Sequence, residues 1–329
     1  MVFEFHESRD PKVWAAYPLA EGMPLFDPSN LRLFPPDAHW LALADGAIAA
    51  RCSLWWTRVP SHESQRIGLV GHYAARDEEA STALLHHALD ELRKHGCTLA
   101  VGPMDGNTMR PYRFVTKRGD ILPFLMEPNN PDEWPLWWRA VGFKPCATYT
   151  SGLNSDLTVT DRRMPEVAAR LTAKGVTIRT LDPTNFSEEL DRIYAVAAPG
   201  FADNFLASPF SREEFRALYL PLQARVVPGL VLIAEHNGEP VGFMFNISNY
   251  AEGATPATVI MKTFAVLPGR AYAGLGNLLL GASNAHAYAL GYRQAIYALI
   301  WTGNNSRIIA DRFAIPFREY TLFAKELAP

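Results

Sequence analysis

The sequence is poor in cysteine, with Cys52, Cys97 and Cys146 alone in 329 residues and no paired spacing among them. That excludes a disulfide framework and a thiolate zinc site, and it predicts three small core residues in a reducing, cytoplasmic setting. Long basic runs are missing too. No stretch of Lys and Arg exceeds a pair, so the electrostatic footprint of nucleic-acid binding is absent. The first residues, MVFEFHESRDPK, lack an apolar run behind basic charge, which speaks against a secretory signal. Charge itself vanishes once, over the 22 residues from Ala271 to Tyr292. That length would span a membrane. However, Asn277, Ser283, Asn284, His286 and four glycines lie inside it, so a loop and a buried helix are expected, with no membrane partner.

What is present describes a soluble globular chain: 48% apolar and 20% charged residues with a net charge of −3. The length fits two domains of about 100–200 residues each. Seven of the eight tryptophans precede residue 139, and the polar stretch Leu153–Glu166 separates that part from the rest. Domains of 1–155 and 156–329 follow.

An internal echo supports them. His39–Ala44, Asp45-Gly46 and Ala47–Val59 read as a hairpin, as do Leu230–Glu235, Asn237-Gly238 and Val241–Ser248. Each is followed by a third strand (Arg66–Tyr73, Thr258–Val266), a helix (Glu78–His95, Gly274–Leu290) closed by a glycine, and another strand. The turn glycines lie 192 residues apart and the helix-closing glycines 195 apart. The fold class is therefore α/β (α+β), with two copies of a mixed, mainly antiparallel sheet flanked by helices. Phe186–Ala198 and Arg212–Val226 read as further helices, Asn304–Phe313 as a short one, and Glu319–Leu327 as a closing strand.

The two copies differ where the third strand meets the helix. In the second copy Pro268 ends the strand, and Gly274 and Gly276 let backbone approach a ligand at the helix N-terminus. No acid occurs from Gly253 to Leu290, so an anion such as a pyrophosphate suits this end. In the first copy Asp77, Glu78 and Glu79 occupy the equivalent helix end and would repel it. One working cofactor site, in the second half, is the expectation. A dinucleotide fingerprint would need a small residue at Leu279 and a later acid, and both are missing. No metal site is expected, since His86 and His87 are adjacent on a helix and diverge by about 100°.

Val266-x-Pro268, Gly274-x-Gly276 and Asn304-Asn305, set among these elements, resemble the GNAT acyltransferase superfamily, and the paired halves resemble its tandem members. The chain departs from the family loop at Ala271, where a basic or amide residue is expected, and Arg270 stands one place early. The resemblance implies acetyl-CoA, or another acyl-CoA, as co-substrate. Phe264 and Val266 would bond the thioester and pantetheine, and Ala271, Tyr272, Ala273, Gly274, Leu275, Gly276 and Asn277 the pyrophosphate. Asn304 would make a further pantetheine contact. The family's tyrosine acid is missing from its usual helix, which leaves Tyr320 and Tyr272 as substitutes and the base unidentified. Asp203, in the loop Gly200–Pro209, and Glu127, in the aromatic-rich segment Pro123–Phe143, are candidates for binding an amine. The expected reaction acetylates a primary amine of a small molecule or peptide, and a homo-oligomer stays open. The alternatives are a non-catalytic acyl-CoA-binding or sensor protein and an aminoacyl-transferase-like tandem protein.

Overall fold

The computed structural model describes residues 2–62, 64–303, 307 and 310–327. Its first half runs β1 (Glu4–Glu7), α1 (Pro11–Trp14), α2 (Asn30–Leu33), β2 (Ala38–Ala44), β3 (Ala47–Trp55), β4 (Ile67–Ala75), α3 (Glu78–Lys94), β5 (Leu99–Gly102), β6 (Phe114–Lys117), α4 (Trp134–Ala140) and β7 (Lys144–Asn154). The second runs α5 (Met164–Thr172), β8 (Val176–Thr180), α6 (Phe186–Gly200), α7 (Arg212–Tyr219), β9 (Val231–His236), β10 (Glu239–Ser248), β11 (Thr258–Val266), α8 (Leu275–Ala289), β12 (Gln294–Trp301) and β13 (Ile315–Glu326).

Local chemistry explains most of this. Asp45-Gly46 and Asn237-Gly238 take positive φ at both positions, the geometry of the tight turn that follows the strand twist. Asp77 caps α3 by accepting from the Ala80 N–H at 2.8 Å. The helix expected over Arg212–Val226 ends sooner, because Pro221 cannot donate and the chain tightens into a 3-10 turn at Leu220–Arg225. Cys52 and Cys97 are buried as expected, whereas Cys146 is exposed near the open start of β7. His87 is not a freely solvated helix residue: it stacks on Phe5 at 4.2 Å and meets Trp40 edge-on.

The strands form one continuous sheet in the order β1-β2-β3-β4-β5-β13-β7-β12-β11-β10-β9-β8, with β6 also on β13. Here the halves interlock. β7 closes the first half in sequence but pairs with β12 and β13, and β13, from the chain's end, pairs with β5. Each half thus lends its last strand to the other. Apolar residues of β3, β4, β5, β7 and β13, such as Trp55, Leu69, Val101, Tyr149 and Leu322, pack as one cluster across the junction. In the first half a buried polar chain links His39 Nδ1 to Ser53 Oγ (2.7 Å) and Ser53 Oγ to His72 Nδ1 (2.9 Å).

Candidate functional site

Each half contains one parallel strand pair joined by a helix, and the two pairs end differently. β4 and β5 pair from Ile67↔Leu99 to Leu69↔Val101. Beyond that point the chain plugs the gap itself. Met104 N–H donates to Val70 O (2.9 Å), the Asp105 carboxylate accepts from His72 N–H (2.6 Å), and Trp134 Nε1 reaches Ala75 O (3.2 Å).

In the second half the gap stays open. β11 and β12 pair from Thr258↔Gln294 only to Met261↔Tyr297, although β11 continues to Val266. On its other side β12 stays paired with β7, with an irregularity between Tyr297 and Ile300 where Leu299 takes a φ of 59°. Phe245 faces Thr263 while Asn246 faces Met261, so Lys262 is the extra residue of a bulge where the strands part. Leu267 donates to Val241 O on β10 (2.9 Å). By the alternation of a strand, Val266 and Phe264 then turn their backbone groups away from β10, toward the gap.

The gap leads into a cavity of about 1310 Å³ whose lining includes Phe264, Val266, Tyr272, Gly274 and Gly276. Gly274 takes the left-handed conformation (φ 87°) at the start of α8, which has no side-chain cap and no acid in its first turn. The free N–H groups of that turn carry partial positive charge. Arg170 of α5 donates to Ala273 O, so a cation reaches this loop from another element even though Ala271 supplies none. Asn277 Oδ1 is buried without a partner among the described residues. Tyr272 is held through its hydroxyl to His236 Nδ1 at 3.1 Å.

The other candidates are placed differently. Tyr320 is fully buried, donating to Glu127 and sharing a hydrogen bond with Ser151 Oγ (2.9 Å). Burial and the Glu127 charge raise its pKa, so its proton is committed to this network. Glu127 reaches the cavity wall, yet its Oε2 is held by Arg318 at 2.5 Å and by Phe124 N–H, leaving little for a substrate amine. The loop Gly200–Pro209 does border the cavity, but Asp203 is exposed and absent from its lining. Asn304, and with it half of the helix expected over Asn304–Phe313, lies outside the described residues.

Sequence reasoning missed the groups supplied by the first half. Arg113, at a φ of 69°, lies over the rings of Tyr112 (3.8 Å) and Tyr149 (4.2 Å) and donates to Leu299 O (3.3 Å) beside the gap. Lys262 feels it, since burial first and then the Arg113 charge push that lysine down to about 8. Nothing in the local sequence reveals that a loop following β5 reaches into a gap between β11 and β12. Among the described residues no group of three His, Cys, Asp or Glu is arranged to hold a metal, and no helix is long and apolar enough to cross a membrane.

No family model matches the chain. Among curated proteins it is similar to a bacterial ceramide synthase of Caulobacter vibrioides, at 24% identity over 239 residues. That match takes in 70% of this chain, which spans only 59% of the relative's length. Among solved structures, a tandem GNAT protein from the clavulanic acid biosynthesis pathway matches 100% of this chain and 99% of its own at 15% identity and a TM-score of 0.53. A probable N-acyltransferase from Enterococcus faecalis V583 matches 99% of this chain and 73% of its own, with 11% identity and a TM-score of 0.56. The fold is therefore that of the GNAT N-acetyltransferases along the whole chain.

Proposed function

We propose that the protein is an acyltransferase that moves an acyl group from an acyl-CoA to a primary amine in the gap between β11 and β12. The carrying observation is that gap: backbone of β11 left without a strand partner, leading to an uncapped helix N-terminus flanked by Gly274, Gly276 and Arg170. The α8 N-terminus suits a pyrophosphate, and the free edge of β11 suits the amide-rich pantetheine arm. Attack by the amine forms a C–N bond at the thioester carbon and places charge on the carbonyl oxygen; the C–S bond then breaks, and the departing thiolate takes up the proton that the nitrogen loses. A fixed N–H of β11 in this gap is suited to stabilise that oxyanion without reorganising.

The nucleophile must be neutral. Lys262 is itself a primary amine in this cleft, and burial and Arg113 bring it down to about 8. A substrate amine beside it meets the same desolvation and the same cations, which favour its neutral form relative to free solution. The plugged gap of the first half supports a single working site there.

Acetyl-CoA is the simplest donor. Longer donors also merit testing, because Phe201, Phe205, Leu218, Tyr219 and Leu222 give the cavity an apolar wall and one relative is named a ceramide synthase. Acetyl-, octanoyl- and palmitoyl-CoA are expected to raise the melting temperature. Saturation at 100 times Kd corresponds to about 2.7 kcal/mol. Gly276→Glu, which sets a carboxylate at the helix N-terminus, is expected to abolish the shift, and thiol release with a panel of amines reads turnover. No shift with any donor refutes the proposed site, and binding without turnover favours the sensor alternative.

A further inference from the structure

The charged residues lining the cavity are Arg110, Arg113, Lys262 and Glu127, and the carboxylate among them is already bound by Arg318. The remaining three are cations. Arg113 is 8% exposed, and its Nε is buried with no hydrogen-bond partner among the described residues. No carboxylate forms an ion pair with Arg113 or Lys262 among the described residues. Arg110 Nε is likewise buried and unpartnered, although Asp105 offsets part of that residue's charge. Burying a cation without a counter-charge is costly, and a site that keeps such groups facing a cavity is built to receive an anion.

We propose that Arg113 and Lys262 form an anion-recognition subsite for a carboxylate or phosphate carried by the acyl acceptor. This rests on the acyl-transfer reading of the same cleft and narrows its acceptor to an amine that also bears an anionic group, as an amino acid does. Tyr112 and Tyr149 hold the guanidinium plane of Arg113 and Leu299 O takes one Nη1 donor, which leaves its remaining N–H groups for an anion. The donor's own phosphates are the wrong anion for this place. Lys262 marks the inner end of the gap, while the helix N-terminus lies beyond Val266, about 13 Å further along the strand. An acceptor anchored here by its anion sets its amine beside the free backbone of β11.

The test uses the full chain and paired acceptors: glycine against glycinamide, and phosphoethanolamine against ethanolamine, with thiol release from the acyl-CoA as readout. The anionic member of at least one pair is expected to exceed its neutral partner in kcat/KM by about tenfold to a hundredfold. Which pair does so distinguishes carboxylate from phosphate. In Arg113→Gln that ratio is expected to collapse toward one through KM, and Arg113→Lys is expected to restore part of it. Equal use of both members by the parent protein overturns the proposal, as does a ratio that survives in R113Q. A fall in acyl-CoA affinity in R113Q also overturns it, by placing the anion on the donor. If R113Q melts early, Lys262→Met is read in its place. Transfer to no amine at all is a failure of the acyl-transfer reading. The subsite is then decided by calorimetry with N-acetylglycine and N-acetylglycinamide, where equal binding refutes it.

Discussion

Ser53 lies between two buried histidine rings, and this sets how the first half responds to acid. Burial holds both His39 and His72 below the usual histidine pKa, so both stay neutral in the fold. The unfolded chain binds those protons below about pH 6.5. Stability is therefore present above that value and declines as pH falls through it, by up to about 1.4 kcal/mol per pH unit for each ring. Urea titrations at pH 7.5, 6.5 and 5.5 are expected to show this slope, and His72→Gln to remove the smaller share of it, because Asp105 offsets part of the burial effect on His72. A flat profile in the parent protein would contradict the buried neutral pair. At this scale the sequence was legible where a residue acts on its neighbours: Asp77 as a cap, Gly46 and Gly238 in turns. It was silent on Arg113, whose role depends on Leu299 and Lys262, far away in the chain.

At the level of elements, the two parallel pairs show how one arrangement of strands is open in one copy and sealed in the other. The seal needs Gly71, since a Cβ there would fall on the Met104 carbonyl, a backbone atom that cannot swing aside. Gly68 on the same strand faces the tips of Leu92 and the Cys97 sulfur, which can adjust. Gly71→Ala is accordingly expected to cost about 3 kcal/mol or more and Gly68→Ala about 1–2 kcal/mol, compared by urea denaturation. The reverse order would show that the seal is soft. Periodicity and turn chemistry revealed the hairpins, both crossover helices and the difference in helix capping. They did not reveal where β11 and β12 part, because a strand's partner is chosen by tertiary contacts and not by its own residues.

On the scale of the whole molecule, the repeat suggests two independent units, yet the sheet joins them. Among the described residues β6 finds its strand partner only in β13, and β7 only in β12 and β13, so both depend on residues from the second half. The sequence could not show this, because the exchanged strands carry the same alternating pattern whichever half receives them. Timing during synthesis follows from it. After Asn154 the chain must add 172 residues to reach Glu326. At about 5–20 residues per second, the ribosome needs roughly 9–34 s to make them. Throughout that interval β5 has an open edge, and until β12 is made β7 has no neighbour, a state prone to pairing with other chains. Ribosome-stalled chains ending near residue 155 are expected to be cut readily by protease within β5 to β7, and released full-length chains are not. Equal resistance in both would mean that the first half closes by another route. The half that emerges first is, on this account, the half completed last.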